Sequence, residues 1–85
     1  MAKKPNETIR YRILARANLR HYLPGANEAT TFESRRPLTG RGLLSRLNIP
    51  AGEVMAVIVE GKAVDIDLVI EKGCSVEILP VLSGG

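Results

Sequence analysis

The chain has one cysteine, one histidine and no tryptophan, and only 4% of its residues are aromatic. With Cys74 alone, no internal disulfide can form, which excludes the stapled frameworks of small secreted domains. With His21 alone, a two-histidine metal site is impossible, and a Cys/His nucleophile pair would need Cys74 beside it. No apolar run approaches the roughly 18 residues that a bilayer-spanning helix requires. The opening residues MAKKPNE have no apolar segment behind their lysines, so no secretory signal is read there. Asn6-Glu7-Thr8 matches a glycosylation sequon, but without such a signal the match is a coincidence of spacing. The expectation is a cytoplasmic protein with no membrane partner.

Charge of one sign is also scarce. Twelve Lys+Arg stand against nine Asp+Glu, a net charge of +3. Lys3, Lys4, Arg10, Arg12, Arg16 and Arg20 fall in the first quarter, while acids are frequent from Glu53 to Glu77. A nucleic-acid reader gathers its basic residues into one patch and adds exposed aromatics for stacking. Tyr11, Tyr22 and Phe32 are spaced for burial instead, so no nucleic-acid partner is expected.

What is present suits one small domain. Eighty-five residues leave no room for a second core or a deep substrate pocket, and 45% hydrophobic with 25% charged residues is an ordinary globular balance. Residues 1–7 are polar, contain Pro5 and are expected to form a disordered arm. From Thr8 onward Ile9, Tyr11, Ile13 and Ala15 alternate with Arg10, Arg12 and Leu14, the period of a strand buried on one face. Arg16 to Leu23 either continues this strand or makes a short helical turn, closed by Pro24-Gly25. Thr30, Thr31 and Phe32 mark a second strand over 28–34, close enough to the first for an antiparallel hairpin. Thr39 is a candidate helix N-cap, with Leu43, Leu44 and Leu47 on one face. Gly40 and Gly42 each cost such a helix about 1 kcal/mol against alanine.

Val54 to Val59 is a nearly continuous apolar run, as in a strand flanked on both sides. Glu60-Gly61-Lys62 turns it into a short strand, Lys72-Gly73 makes a further turn, and Ser75 to Leu79 is the last strand. The predicted order of strand, strand, helix, strand, short strand, strand implies an α+β sheet with its helix on one face.

Internal motifs for chemistry are incomplete. Cys74 follows a turn, where a thiol filling space is the first reading and a low-pKa thiolate near Lys72 the sharper alternative. Glu53, Glu60, Asp65, Asp67, Glu71 and Glu77 lack metal-loop spacing, so no metal site is predicted. Gly40-Arg41-Gly42 begins like a phosphate loop but lacks the third glycine and the preceding strand. The last residues differ. Two glycines at the final two positions would arise by chance about once in two hundred chains. Here they follow a strand, a proline and a slim extended stretch, and glycine lets a backbone enter a narrow channel or lie close to a phosphate.

The chain resembles the ubiquitin-like sulfur-carrier family, that of the small subunit of molybdopterin synthase and the thiamin-biosynthesis sulfur carrier. The matching features begin with Leu19-Arg20-His21-Tyr22-Leu23-Pro24 after the first strand, then Leu43-Leu44 and Leu47-Asn48-Ile49-Pro50. Val57-Ile58-Val59-Glu60-Gly61, Lys72-Gly73 leading into Val76-Glu77-Ile78, Pro80-Val81 and Gly84-Gly85 complete the set, which spans almost all of residues 8–85. Four positions depart from the pattern: Glu60 replaces the usual Asn before Gly61, Cys74 replaces a common Asp, and Gly40 and Gly42 stand where better helix formers are normal.

The resemblance implies a β-grasp fold, a mixed sheet of four to five strands on one helix, with the last strand central beside the first. The domain would cover residues 8–82 and the flexible Gly-Gly tail residues 83–85. It further implies that the Gly85 carboxylate, with Gly84 beside it, is adenylated by an ATP-using, ubiquitin-activating-like adenylyltransferase and converted to a thiocarboxylate by a persulfide donor or sulfurtransferase. A synthase subunit would accept the sulfur, for molybdopterin before thiamin or another metabolite. The chain would then be a cosubstrate with no bound cofactor, not an enzyme, and at most the small non-catalytic subunit of a synthase. Leu79, Val81, Leu82 and Ser83 would contribute to docking. Two alternatives remain at this stage: a modifier joined through Gly85 to lysines of other proteins, and a non-catalytic β-grasp interaction module.

Overall fold

The computed structural model describes residues 8–81. The arm over 1–7 and the positions Leu82, Ser83, Gly84 and Gly85 lie outside them.

The first strand, β1 (Ile9–Ala15), follows the alternation in its sequence: Tyr11, Ile13 and Ala15 are fully buried while Arg10 and Arg12 face solvent. After it, Ala17–Tyr22 forms a 3₁₀ turn that sends Leu19 into the core, and Pro24–Ala26 makes a second turn. The helical option for 16–23 is therefore the one realised. β2 (Ala29–Ser34) returns antiparallel to β1, with Phe32 opposite Tyr11 and Glu33 opposite Arg10.

The only α-helix among the described residues, α1 (Gly40–Arg46), starts where the sequence places it. Thr39 Oγ1 accepts the Gly42 N–H at 2.9 Å, satisfying one of the donors a helix start leaves open. At the other end Asn48 adopts φ 61. The Ile49 N–H then donates to the Leu44 carbonyl at 2.9 Å and the Asn48 N–H to Ser45 at 3.2 Å, the paired bonds that close a helix through a left-handed residue. Gly40 is more than a weak helix former. A Cβ there would stand 3.0 Å from the Ile66 carbonyl, so its small size lets the helix start abut the 65–68 turn.

β4 (Val54–Val59) and β5 (Lys62–Val64) form the hairpin read from the sequence. Glu60 and Gly61 take φ 50 and φ 85, the two left-handed positions of a turn whose twist matches the flanking strands. Glu60 accepts that conformation although it is not glycine, and its carboxylate receives the Ser75 N–H at 2.8 Å. β7 (Ser75–Pro80) runs one residue beyond the predicted strand, because Pro80 still pairs with Val54 at the final position, where its missing N–H costs little.

The main sheet has the order β2-β1-β7-β4-β5, with β7 parallel to β1 and antiparallel to β4. The last strand is thus central and beside the first. One element was not predicted: β3 (Leu38–Thr39) pairs with β6 (Val69–Ile70) in a separate two-stranded sheet. Tyr11 ties it to the main sheet, its hydroxyl donating to the Ile70 carbonyl at 2.6 Å and accepting the Leu38 N–H at 3.1 Å. The core joins Ile13, Val57, Val76 and Ile78 of the sheet to Leu43 and Leu44 of α1, with Leu19, Leu23 and Ile49 from the connections and Ile70 from β6.

Candidate functional site

β7 carries the chain through the middle of the sheet and out at Val81. Its side chains alternate: Val76 and Ile78 enter the core, while Glu77 and Leu79 point to the opposite face. On that face the register places Leu14 and Ile58 on either side of Glu77, and Ala56 opposite Leu79. None of Leu14, Ala56, Ile58 and Leu79 belongs to the core or to the hydrophobic residues packed against it. Leu79 is half-buried there, and Val81 is 51% exposed. Of the predicted docking residues, then, Leu79 and Val81 adjoin the face opposite α1, where the apolar Leu14, Ala56 and Ile58 stand beside charged side chains; Leu82 and Ser83, with Gly84 and Gly85, lie outside the described residues.

Two ion pairs lie on this side of the sheet, with the exposed Arg12 of β1 beside them. Glu77 accepts from Arg16 at 2.6 Å, and this hydrogen bond, with the accompanying charge, holds the Arg16 guanidinium above its ordinary pKa. Arg10 pairs with Glu33 on the same sheet. Arg16 also places its backbone N–H on the Ile78 carbonyl at 3.1 Å, linking the start of the 3₁₀ turn to β7.

The base of the tail is held from two sides. The Val81 N–H donates to the Glu53 carbonyl at 2.9 Å. Glu53 ends the short 3₁₀ turn Ala51–Glu53, and its carboxylate accepts the Tyr22 hydroxyl at 2.9 Å. That hydrogen bond, then partial burial and the carboxylate charge, keep the proton on Tyr22 and raise its pKa. Neither Tyr22 nor Glu53 was singled out from the sequence as a contact of the tail. They are 31 residues apart, in segments with no shared period, so no local signal could have paired them.

The other candidates separate from this site. Because β7 is parallel to β1, the 3₁₀ turn that carries His21 sits at the exit end of β7, whereas Cys74 precedes its beginning. Along a strand of this length the two ends are about 20 Å apart, so a Cys74–His21 pair is ruled out. The low-pKa thiolate is also corrected. Burial first, and the Glu60 charge second, push the Cys74 thiol above its ordinary pKa, and Lys72 does not offset them. Native Cys74 should therefore be alkylated by iodoacetamide at pH 8 more slowly than in the urea-unfolded chain. Faster native labelling would revive an activated thiol. The thiol borders an open depression of about 530 Å³ lined by Val59, Glu60, Leu68, Val69 and Ile70. Gly40-Arg41-Gly42 forms the first turn of α1, with the Gly42 N–H taken by Thr39 and Arg41 paired to Asp67 at 2.8 Å. Among the described residues no cluster of three or more His, Cys, Asp or Glu side chains could hold a metal, and no helix is long and apolar enough to cross a membrane.

No protein-family model matches the chain, and no curated protein matches it by sequence. Among solved structures it is similar to the solution structure of the Haloferax volcanii HVO 2177 protein, with a TM-score of 0.73 at 18% identity over 100% of this chain and 94% of that one. At that identity the likeness speaks for the fold alone. Together with the central placement of β7, parallel to β1, and the one α-helix among the described residues, it shows an α+β chain of the ubiquitin-like β-grasp fold.

Proposed function

We propose that this chain is a sulfur carrier whose Gly85 carboxylate is the reacting group. The observation that carries the reading is where β7 ends. The central strand delivers the backbone to an exposed Val81 beside the face opposite α1, with its apolar Leu14, Ile58 and Leu79, and the sequence from there is Leu82-Ser83-Gly84-Gly85. Four residues span at most about 14 Å. An activating enzyme that docks on the Leu14, Ile58 and Leu79 face would need its nucleotide within that reach of Val81.

The chemistry follows from the weakness of a carboxylate as an electrophile. Attack of the Gly85 carboxylate on the α-phosphorus of ATP forms an acyl adenylate and releases pyrophosphate. The terminal sulfur of a persulfide then displaces AMP, and a thiol cleaves the resulting S–S bond, leaving a thiocarboxylate on Gly85 and a disulfide on the donor. The chain supplies the fold, the docking face and the handle, while an adenylyltransferase, a sulfur donor and a sulfur-accepting synthase supply the rest. Molybdopterin synthesis is the first candidate destination and thiamin the second.

Incubation of the purified chain with ATP and the adenylating enzyme of the same cells should give an acyl adenylate at Gly85, and deletion of Gly84 and Gly85 should abolish it. Absence of the adenylate on the intact chain would overturn the carrier and also the modifier reading, which begins with the same step. A plain interaction module predicts that the deletion changes nothing.

A further inference from the structure

At Pro80 the chain leaves the sheet without an N–H to give. The next donor, Val81, is the last described residue, and its side chain is half in solvent, so packing does little to fix the direction of departure. What fixes it is the bond from the Val81 N–H to the Glu53 carbonyl at 2.9 Å. That acceptor is itself held. The Glu53 N–H donates to the Pro50 carbonyl at 3.0 Å, and the Glu53 carboxylate accepts from Tyr22, whose turn is anchored by the fully buried Leu19. Three segments remote in sequence thus converge on the residue from which the tail departs.

We propose that the Val81 N–H, the Glu53 carbonyl and the Tyr22 hydroxyl form a latch that fixes the backbone at Val81, making Tyr22 and Glu53 positioning residues for activation at Gly85. The role in activation rests on the carrier reading; the latch itself does not. With the latch closed, the pivot of the tail is Val81, and the backbone freedom of that residue is removed before any partner binds. With it open, the pivot retreats to Pro80 and that ordering is left for the encounter with the activating enzyme. The expected signature is weaker capture of the chain with unchanged chemistry once it is captured.

Two readouts test this. Both variants keep the Val81–Glu53 backbone bond but free its acceptor, so amide hydrogen exchange at Val81 should speed up about three- to fivefold in Tyr22→Phe and in Glu53→Ala, the effect of losing one exposed side-chain hydrogen bond. Glu53→Gln, which keeps an acceptor for the hydroxyl, should stay within about twofold of the parent. The Arg12 amide, bonded to the Cys74 carbonyl at the far end of β7, should not change in any of them. In ATP-dependent adenylation, KM for the chain should rise by the same factor in Tyr22→Phe and Glu53→Ala, with kcat unchanged and Glu53→Gln restoring the parent value. Unchanged exchange at Val81, or equal acceleration at Arg12, overturns the latch. Faster exchange at Val81 with an unchanged KM overturns its role in activation. If the parent chain is not adenylated at all, the carrier reading and the positioning role fall together, while the exchange result still decides the latch.

Discussion

Gly73→Ala is expected to destabilise the domain by about 3 kcal/mol, at the upper end of what overpacking costs. A Cβ on Gly73 would stand 2.5 Å from the Arg10 carbonyl oxygen and 3.3 Å from the Arg10 nitrogen. Both atoms are backbone, so no side-chain rotation can make room. Relief would require β1 to move away from the start of β7, and the two are joined there by the Arg12 N–H to the Cys74 carbonyl at 2.9 Å and by the Arg12–Ser75 register. β1 also carries Tyr11 and Ile13 into the core, so the displacement would reach the packing around α1. For a domain of this size the melting temperature should fall by more than about 10 °C. Gly52→Ala is the control: nothing lies within 4 Å of its added Cβ, and its stability should stay within about 0.5 kcal/mol of the parent.

The second large effect is expected from a single oxygen. Tyr11 is fully buried, and its hydroxyl both donates to the Ile70 carbonyl and accepts the Leu38 N–H. Tyr11→Phe keeps the ring and removes both bonds, leaving two backbone groups of the small sheet without this partner. Each such group costs about 1–3 kcal/mol when water cannot replace the bond. Leu38 is only part-buried, so water recovers some of its share, and the net loss should be about 2–3 kcal/mol in urea unfolding. Amides of β3 and β6 should exchange faster than those of β7, because the hydroxyl is what fastens one sheet to the other. Tyr22→Phe removes an exposed hydroxyl instead and should cost under about 1 kcal/mol.

These two sites also mark where the sequence was legible and where it was not. β1 could be read because Ile9 to Ala15 alternates with the period of its own pleat. The start of α1 could be read because Thr39 caps it through a contact three residues away. The turn at Glu60-Gly61 could be read because left-handed geometry selects glycine locally. The pairing of β3 with β6 could not, since two-residue strands have no period, and Leu38 meets Ile70 across 32 residues only once Tyr11 holds both. Gly73 looked like an ordinary turn glycine. Its constraint is the nearness of Arg10, which depends on the parallel pairing of β1 and β7. In the candidate site, Leu79 and Val81 could be placed by their distance from Gly-Gly, but Glu53 and Tyr22 hold the exit through bonds made across the fold.

The most direct test of the account is the intact mass of the protein isolated from its own cells, with fragmentation across the end of the chain. A carrier predicts a population heavier by the exchange of one oxygen for one sulfur, with the change confined to Gly85. Gly85 found in amide linkage to lysines of other proteins, or found only as a free carboxylate in cells whose adenylating enzyme is active, would contradict it.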